Sequence, residues 1–256
     1  VSVPELALKL AEKFWPGPLT MILPKHPSIP TITSGGLDTV GVRMPSHLVA
    51  RKLIELSGVP IAAPSANISG YPSPTTAQHV MRDMHGKIAA VVDGGDCCVG
   101  VESTVIALEG EDSVRILRPG YVTKEMLETV VPHVTLDKAI LHQLQEGQTV
   151  RSPGMKYQHY SPHAHVTLIE GRWPEFAAWV QQHAEVGTYA LVFDGEGADL
   201  SVPYLTYGTG DAEQAHQVFA KLRELDDIGA KRVFVRAPNP NGIGLAVYNR
   251  LIRAAG

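Results

Sequence analysis

The chain has 256 residues, 44% apolar and 19% charged, enough material for one large or two moderate cores and unlike a disordered chain. No apolar run approaches the roughly 20 residues that span a bilayer and no signal-like segment opens the sequence, so the expected location is the cytoplasm, with no membrane contact. The formal charge of −4 argues against holding nucleic acid by bulk electrostatics, and two adjacent cysteines, Cys97 and Cys98, are too few for a zinc site or disulfide framework and read as reduced, structural thiols.

Residues 4–14 (PELALKLAEKF) have the apolar spacing of an amphipathic helix with proline near its first turn. A helix this early implies a chain that begins in mid-domain. A proline-rich turn at 15–18 leads into an apolar strand at 19–23, and Ser34-Gly35-Gly36 turns the chain into a second strand, 39–44 (TVGVRM), with Arg43 among apolar neighbours. An arginine there is either a solvated edge residue or a fixed fork for a carboxylate or phosphate. Residues 46–57 read as a helix capped by Ser46 and ended by Gly58, its apolar positions Leu48, Leu53, Ile54 and Leu56.

Residues 59–63 (VPIAA) have the apolar, partly β-branched character of a buried strand that must stop at Pro64. Beyond it, Ser65, Asn67, Ser69, Ser73, Thr75 and Thr76 crowd a loop stiffened by Gly70, Pro72 and Pro74. Such a loop is either an ordinary Ser/Pro turn or a ready-made polar binding surface at a strand end. Thr75 or Thr76 can cap a helix to about His85. Strands follow at 88–92, at 103–106 with Ser103 at its beginning, and at 113–117 running into Arg118-Pro119-Gly120. Thr123 caps a helix to about Val130, with Glu125 in its first turn.

The signal weakens from 132 to 150, where a broken helix and linker are expected. Residues 151–162 (RSPGMKYQHYSP) are extended yet carry two tyrosines, more than a spacer requires. Domains are accordingly expected at 1–131 and 165–256, with a linker at 132–164. Residues 165–256 alternate strands (165–169, 189–193, 204–207, 232–237) with helices (173–184, 212–228, 242–255), the pattern of a small Rossmann-like α/β domain without a G-x-G-x-x-G fingerprint. His159, His163 and His165 are spaced like metal ligands, but no cysteine or carboxylate lies among them and no metal site is assigned.

PGPLT, TVGVRMP, PSANISG with PSPT, GVESTV, ILRPG and PGMKYQHYSP occur in that order, and the chain ends in GIGLAVYNRLIRAA. In these motifs the sequence resembles the two-domain threonylcarbamoyl-AMP synthases. The resemblance implies a twisted-sheet, YrdC-like α/β domain around a concave cavity, plus the smaller Rossmann-like domain. It implies an enzyme that joins L-threonine, bicarbonate or CO2, and ATP with Mg2+ into threonylcarbamoyl-AMP and pyrophosphate. A threonylcarbamoyl transferase that modifies a tRNA adenosine would consume the product. Residue by residue, it implies threonine contacts from Arg43, the Ala63 backbone and Ser103. ATP contacts would come from Thr39, Ser65, Ser73 and Arg118, with Asn67 supporting the loop and Tyr160, ahead of Tyr157, closing from the linker. No side-chain nucleophile is implied. The family's K-x-R segment has no counterpart at the start of this sequence. The alternatives are a carbamoyl-adenylate-forming domain of hydrogenase maturation and an RNA-binding module that uses the concave face.

Overall fold

The computed structural model describes residues 3–140 and 160–256, and its described residues fall into two compact units. The first comprises 3–64 and 102–140, the second 65–101 and 160–256. The chain passes between them at Pro64/Ser65 and Val101/Glu102, inside the PSANISG and GVESTV motifs.

In the first unit, α1 (Glu5–Phe14) buries Leu6, Ala7 and Leu10 on one face. Its first turn carries Glu5 and its last Lys13, complementing the helix dipole. Five strands follow: β1 (Leu19–Pro24), β2 (Thr39–Val42), β3 (Thr104–Leu108), β4 (Ser113–Arg118) and β5 (His133–Leu136). They form one sheet in the order β2-β1-β3-β4-β5. β1 pairs antiparallel with β2 and parallel with β3, β3 antiparallel with β4, and β4 parallel with β5. Leu19, Met21, Val105, Ile106, Val114 and Ile116 are almost fully buried on these strands. Burying such side chains contributes about 1.5–3 kcal/mol each before the entropy cost of ordering them.

Several local expectations fail in this unit. Helix α2 (Leu48–Ser57) begins one residue later than a Ser46 cap would place it, with His47 at the N-cap. None of its residues is buried, and Leu48 and Leu56 are exposed. Gly58 does end it, in the left-handed conformation at φ 67°. Residues 59–63 form no strand, and Val59 and Ile61 are exposed. An apolar run becomes a strand only where a neighbour offers a hydrogen-bonding edge, and among the described residues none pairs with it. β2 stops at Val42, so Arg43 lies just beyond the strand. β5, by contrast, forms where a broken helix and linker were expected, because β4 offers it a parallel edge and Val131 and Val134 bury their side chains there.

In the second unit, Thr76 caps α3 (Ala77–Met84), its side chain accepting from the His79 amide at 3.2 Å. Residues 88–92 again form no strand. From 165 onward the alternation read from sequence is realised: β6 (His165–Ile169), α5 (Trp173–His183), β7 (Thr188–Val192), β8 (Tyr204–Thr206), α6 (Asp211–Asp227), β9 (Arg232–Arg236) and α7 (Gly244–Ala255). The sheet, β6-β9-β7-β8, is parallel throughout, as right-handed β-α-β crossovers produce. Leu191, Val218, Phe219, Val233, Val235, Val247 and Leu251 lie in its principal core cluster. Val101, in the earlier segment, belongs to the same cluster, and Gly100 abuts α6 so closely that a Cβ would lie 2.3 Å from the Ala215 carbonyl oxygen. In the first unit α4 (Lys124–Glu128) is capped by Thr123.

Candidate active site

One end of the five-stranded sheet collects four of the sequence motifs. The Met44 carbonyl, just after Arg43, accepts from the Gly17 amide at 2.8 Å, and Pro18 in turn accepts from the Thr104 amide at 3.0 Å. On the next strand over, Arg118 sits opposite Val105. Arg43, the PGPLT segment, Ser103 and Arg118 therefore lie across four adjacent strand positions. With strands about 4.8 Å apart, the backbones at 43 and 118 are separated by roughly 14 Å.

Ser103 is the best-defined group there. It is 4% exposed, and its hydroxyl lies 2.7 Å from Thr20 Oγ1. Arg118 donates to the Ser103 carbonyl from Nε (3.2 Å) and Nη2 (3.0 Å), and Nη2 also reaches the Ser103 hydroxyl at 3.4 Å. The guanidinium is thus fixed as a fork against the strand end instead of sweeping through solvent. Close packing enforces this geometry. A Cβ on Gly120 would sit 2.4 Å from the Thr104 amide nitrogen and 2.8 Å from the Glu102 carbonyl oxygen, so the ILRPG turn can approach GVESTV only with glycine there. Thr20 had no assigned role in the sequence reading. Its place in PGPLT was the available signal, but its pairing with Ser103, 83 residues away, is a product of the fold.

The other expected residues are distributed differently. Arg43 and Ala63 are exposed in the same unit as Ser103 and Arg118. Thr39 is half-buried and pairs with Pro24 at the opposite end of β2, about 13 Å of extended chain from Arg43. Ser65, Asn67, Ser73 and Tyr160 belong to the second unit. There Asn67 Nδ2 donates to the carbonyls of Ile68 (2.9 Å) and Tyr71 (3.1 Å), folding the loop onto itself, while Ser65 is exposed and Ser73 buried. Tyr160 adopts φ 64° and is 7% exposed in the core cluster. Its ring lies 5.0 Å from that of Phe219, with the Arg250 guanidinium 5.8 Å above it. Tyr157 and His159 lie outside the described residues.

Behind the loop, Asp83 and Arg223 form an ion pair at 2.6 Å, each side chain 4% exposed. Burial works to raise the Asp83 carboxyl, but the Arg223 hydrogen bonds and charge, with the Ile68 amide, hold it below the usual carboxylate range. Both cysteines are exposed. A cavity of about 330 Å³ opens past the carboxyl ends of β6 and β9, lined in part by Glu170, Arg236 and Tyr248. Tyr248 donates to Glu170, which pushes the phenol up to about 12.

Hydroxyls and guanidinium groups set against rigid strand ends suit anionic substrates, and among the described residues the partners given to Ser103 are a hydroxyl and a guanidinium, not a histidine that could activate it as a nucleophile. Among the described residues no group of three or more His, Cys, Asp or Glu side chains could hold a metal ion, and no helix is long and apolar enough to cross a membrane.

Two family models cover the chain: the Sua5/YciO/YrdC model, described as telomere recombination, over residues 1–120, and the threonylcarbamoyl-AMP synthase C-terminal domain over 122–256. The threonylcarbamoyl-AMP synthase of Pyrococcus abyssi is 43% identical over 259 residues, covering 100% of this chain and 75% of the relative. Those of Bacillus subtilis and Schizosaccharomyces pombe are 41% and 37% identical, each covering 99% of this chain and 74% and 67% of their own lengths. The crystal structure of P. abyssi Sua5 complexed with L-threonine matches with a TM-score of 0.88 at 41% identity, over 100% of this chain and 75% of that one. A strand-end arrangement fit for anions and end-to-end likeness to these proteins lead to one assignment: the chain belongs to the threonylcarbamoyl-AMP synthase family.

Proposed function

We propose that the chain catalyses formation of threonylcarbamoyl-AMP and pyrophosphate from L-threonine, bicarbonate or CO2, and ATP. The observation that carries this reading is the likeness to threonylcarbamoyl-AMP synthases along 99–100% of the chain. The fixed Ser103–Thr20–Arg118 cluster supports it, because it supplies donors for an anion.

In this reading the threonine amine takes up CO2 as a carbamate, whose oxygen attacks the α-phosphorus as the bond to pyrophosphate breaks. The carbamate reverts readily in water, so catalysis rests on positioning, water exclusion and electrostatic stabilisation. Arg43 holds the threonine carboxylate, with the Ala63 backbone and the Ser103 hydroxyl completing the amino-acid contacts. Arg118, Thr39, Ser65 and Ser73 bind ATP, Asn67 shapes the loop, and Tyr160, packed against Phe219 in the core, closes from the linker only by leaving that contact. Mg2+ would enter with ATP and offset the charge of its phosphates; the described residues offer it no cluster of three or more His, Cys, Asp or Glu side chains. The catalytic domain is assigned to 1–131, the linker to 132–164 and the smaller domain to 165–256, with β5 at the start of that linker segment completing the catalytic domain's sheet. The product is handed to a threonylcarbamoyl transferase acting on tRNA, in the cytoplasm.

A pyrophosphate-release assay with this chain tests the reading. Release should require both ATP and L-threonine and rise with bicarbonate; threonine-independent release would overturn it.

A further inference from the structure

Three consecutive residues leading into Ser73 are each held by a group from beyond residue 160. The Gly70 carbonyl accepts from the Ser161 amide at 2.9 Å. The Tyr71 hydroxyl is hydrogen-bonded to His163 Nε2, and His163 is itself fixed by Asp226, through its backbone amide at 2.8 Å and Nδ1 at 3.1 Å. The Pro72 carbonyl accepts from Arg223 Nε at 3.2 Å and Nη2 at 2.6 Å. Arg223 then spans to Asp83, with Nη1 3.1 Å from Oδ1 and Nη2 2.6 Å from Oδ2. Asp83 Oδ2 also accepts from the Ile68 amide at 3.4 Å. One buried ion pair therefore grips the loop on both sides of its bend, at Ile68 through the carboxylate and at Pro72 through the guanidinium.

A fold-holding salt bridge would need only the Asp83 contact. The additional fork onto Pro72, whose next residue is Ser73, fixes the path of the backbone that carries the polar side chains. We propose that Arg223 on α6 is a positioning residue for the nucleotide loop, by which the C-terminal part of the chain sets the loop's affinity for ATP. This rests on the assignment of Ser65 and Ser73 to ATP. Threonine contacts are assigned to Arg43, Ala63 and Ser103, all in the other unit, so loosening the clamp acts on one substrate and not the other.

Two variants of the full chain separate positioning from folding. Arg223→Lys keeps a cation for Asp83 but has no planar fork to reach Pro72 at the same time. The double variant Arg223→Met with Asp83→Leu removes both charges together and leaves apolar packing, which avoids an orphaned buried ion. Melting temperature, equilibrium titration with ATP and with L-threonine, and amide exchange of residues 68–76 are measured for each. Arg223→Lys should melt within a few degrees of the wild type, bind ATP about tenfold or more weakly, hold threonine within about twofold, and show faster loop exchange. If the double variant does not fold, Arg223→Lys alone decides. Unchanged ATP affinity in a variant whose loop exchanges faster overturns the proposal, as does a parallel loss of ATP and threonine binding. A wild type that binds threonine but not ATP instead overturns the functional reading of the loop.

Discussion

Ser103 shows how much a single side chain depends on its surroundings. Its hydroxyl is buried, pinned by Thr20 and reached by Arg118, so its direction is set before substrate arrives. Deleting a hydrogen bond to a charged group costs about 1.5–3 kcal/mol, so Ser103→Ala should raise the threonine requirement by roughly 10- to 100-fold in a pyrophosphate assay. Thr20→Val, which keeps the shape and removes the partner hydroxyl, should raise it less, by about 5-fold for a neutral hydrogen bond. Arg43→Ala should weaken threonine more than 10-fold while leaving the ATP requirement within about threefold, as expected if its fork serves a carboxylate. Equal effects on both substrates would contradict that role. Arg43, Ser103 and Arg118 were legible as residues worth explaining, through the motifs that contain them. Thr20 was not, because a threonine in an apolar strand carries no mark of which hydroxyl it will meet.

Among elements, α3 links the capping chemistry read from sequence to the clamp found in the structure. Thr76 accepts from the His79 amide, and Asp83 lies in the last turn of the same helix. Thr76→Ala should destabilise the chain by about 1 kcal/mol, read as a lower melting temperature. The helices from 173 onward were legible because apolar spacing and flanking glycines agree with a parallel sheet they cover on both faces. Residues 59–63 and 88–92 carry the same apolar signal as the strands that do form, yet pair with no strand among the described residues, while the less apolar 133–136 pairs with β4. Composition sets the willingness to form a strand; a partner edge decides it.

For the whole molecule, the partition of the chain leads to a test by truncation. Val101 is part of the core cluster built around α6 and α7, and Arg223 holds Pro72 and Asp83. A chain cut after Ile140 should lose the order of residues 65–101, seen as rapid proteolysis within that segment; a protected segment would show that it stands alone. The Asp83–Arg223 pair also sets a pH response. Because the folded carboxyl is held below its unfolded value of about 4, its stabilisation is fully present above that pH and is lost as pH falls through the folded value. Acid unfolding of the wild type should therefore be steeper below pH 4 than that of the Arg223→Met/Asp83→Leu double variant, measured by circular dichroism.

By itself the amino-acid order determined the class of fold, the helices and strands after residue 165 and the motifs of the candidate site, since periodicity, caps and turn residues are local properties written along the chain. Tertiary structure alone decided that Ser103 meets Thr20 and Arg118, that residues 59–63 pair with no strand among the described residues, and that residues 65–101 pack with the C-terminal elements. Those outcomes depend on which edges and buried charges come together across dozens of residues, and desolvation and hydrogen-bond geometry at such contacts have no counterpart in local sequence.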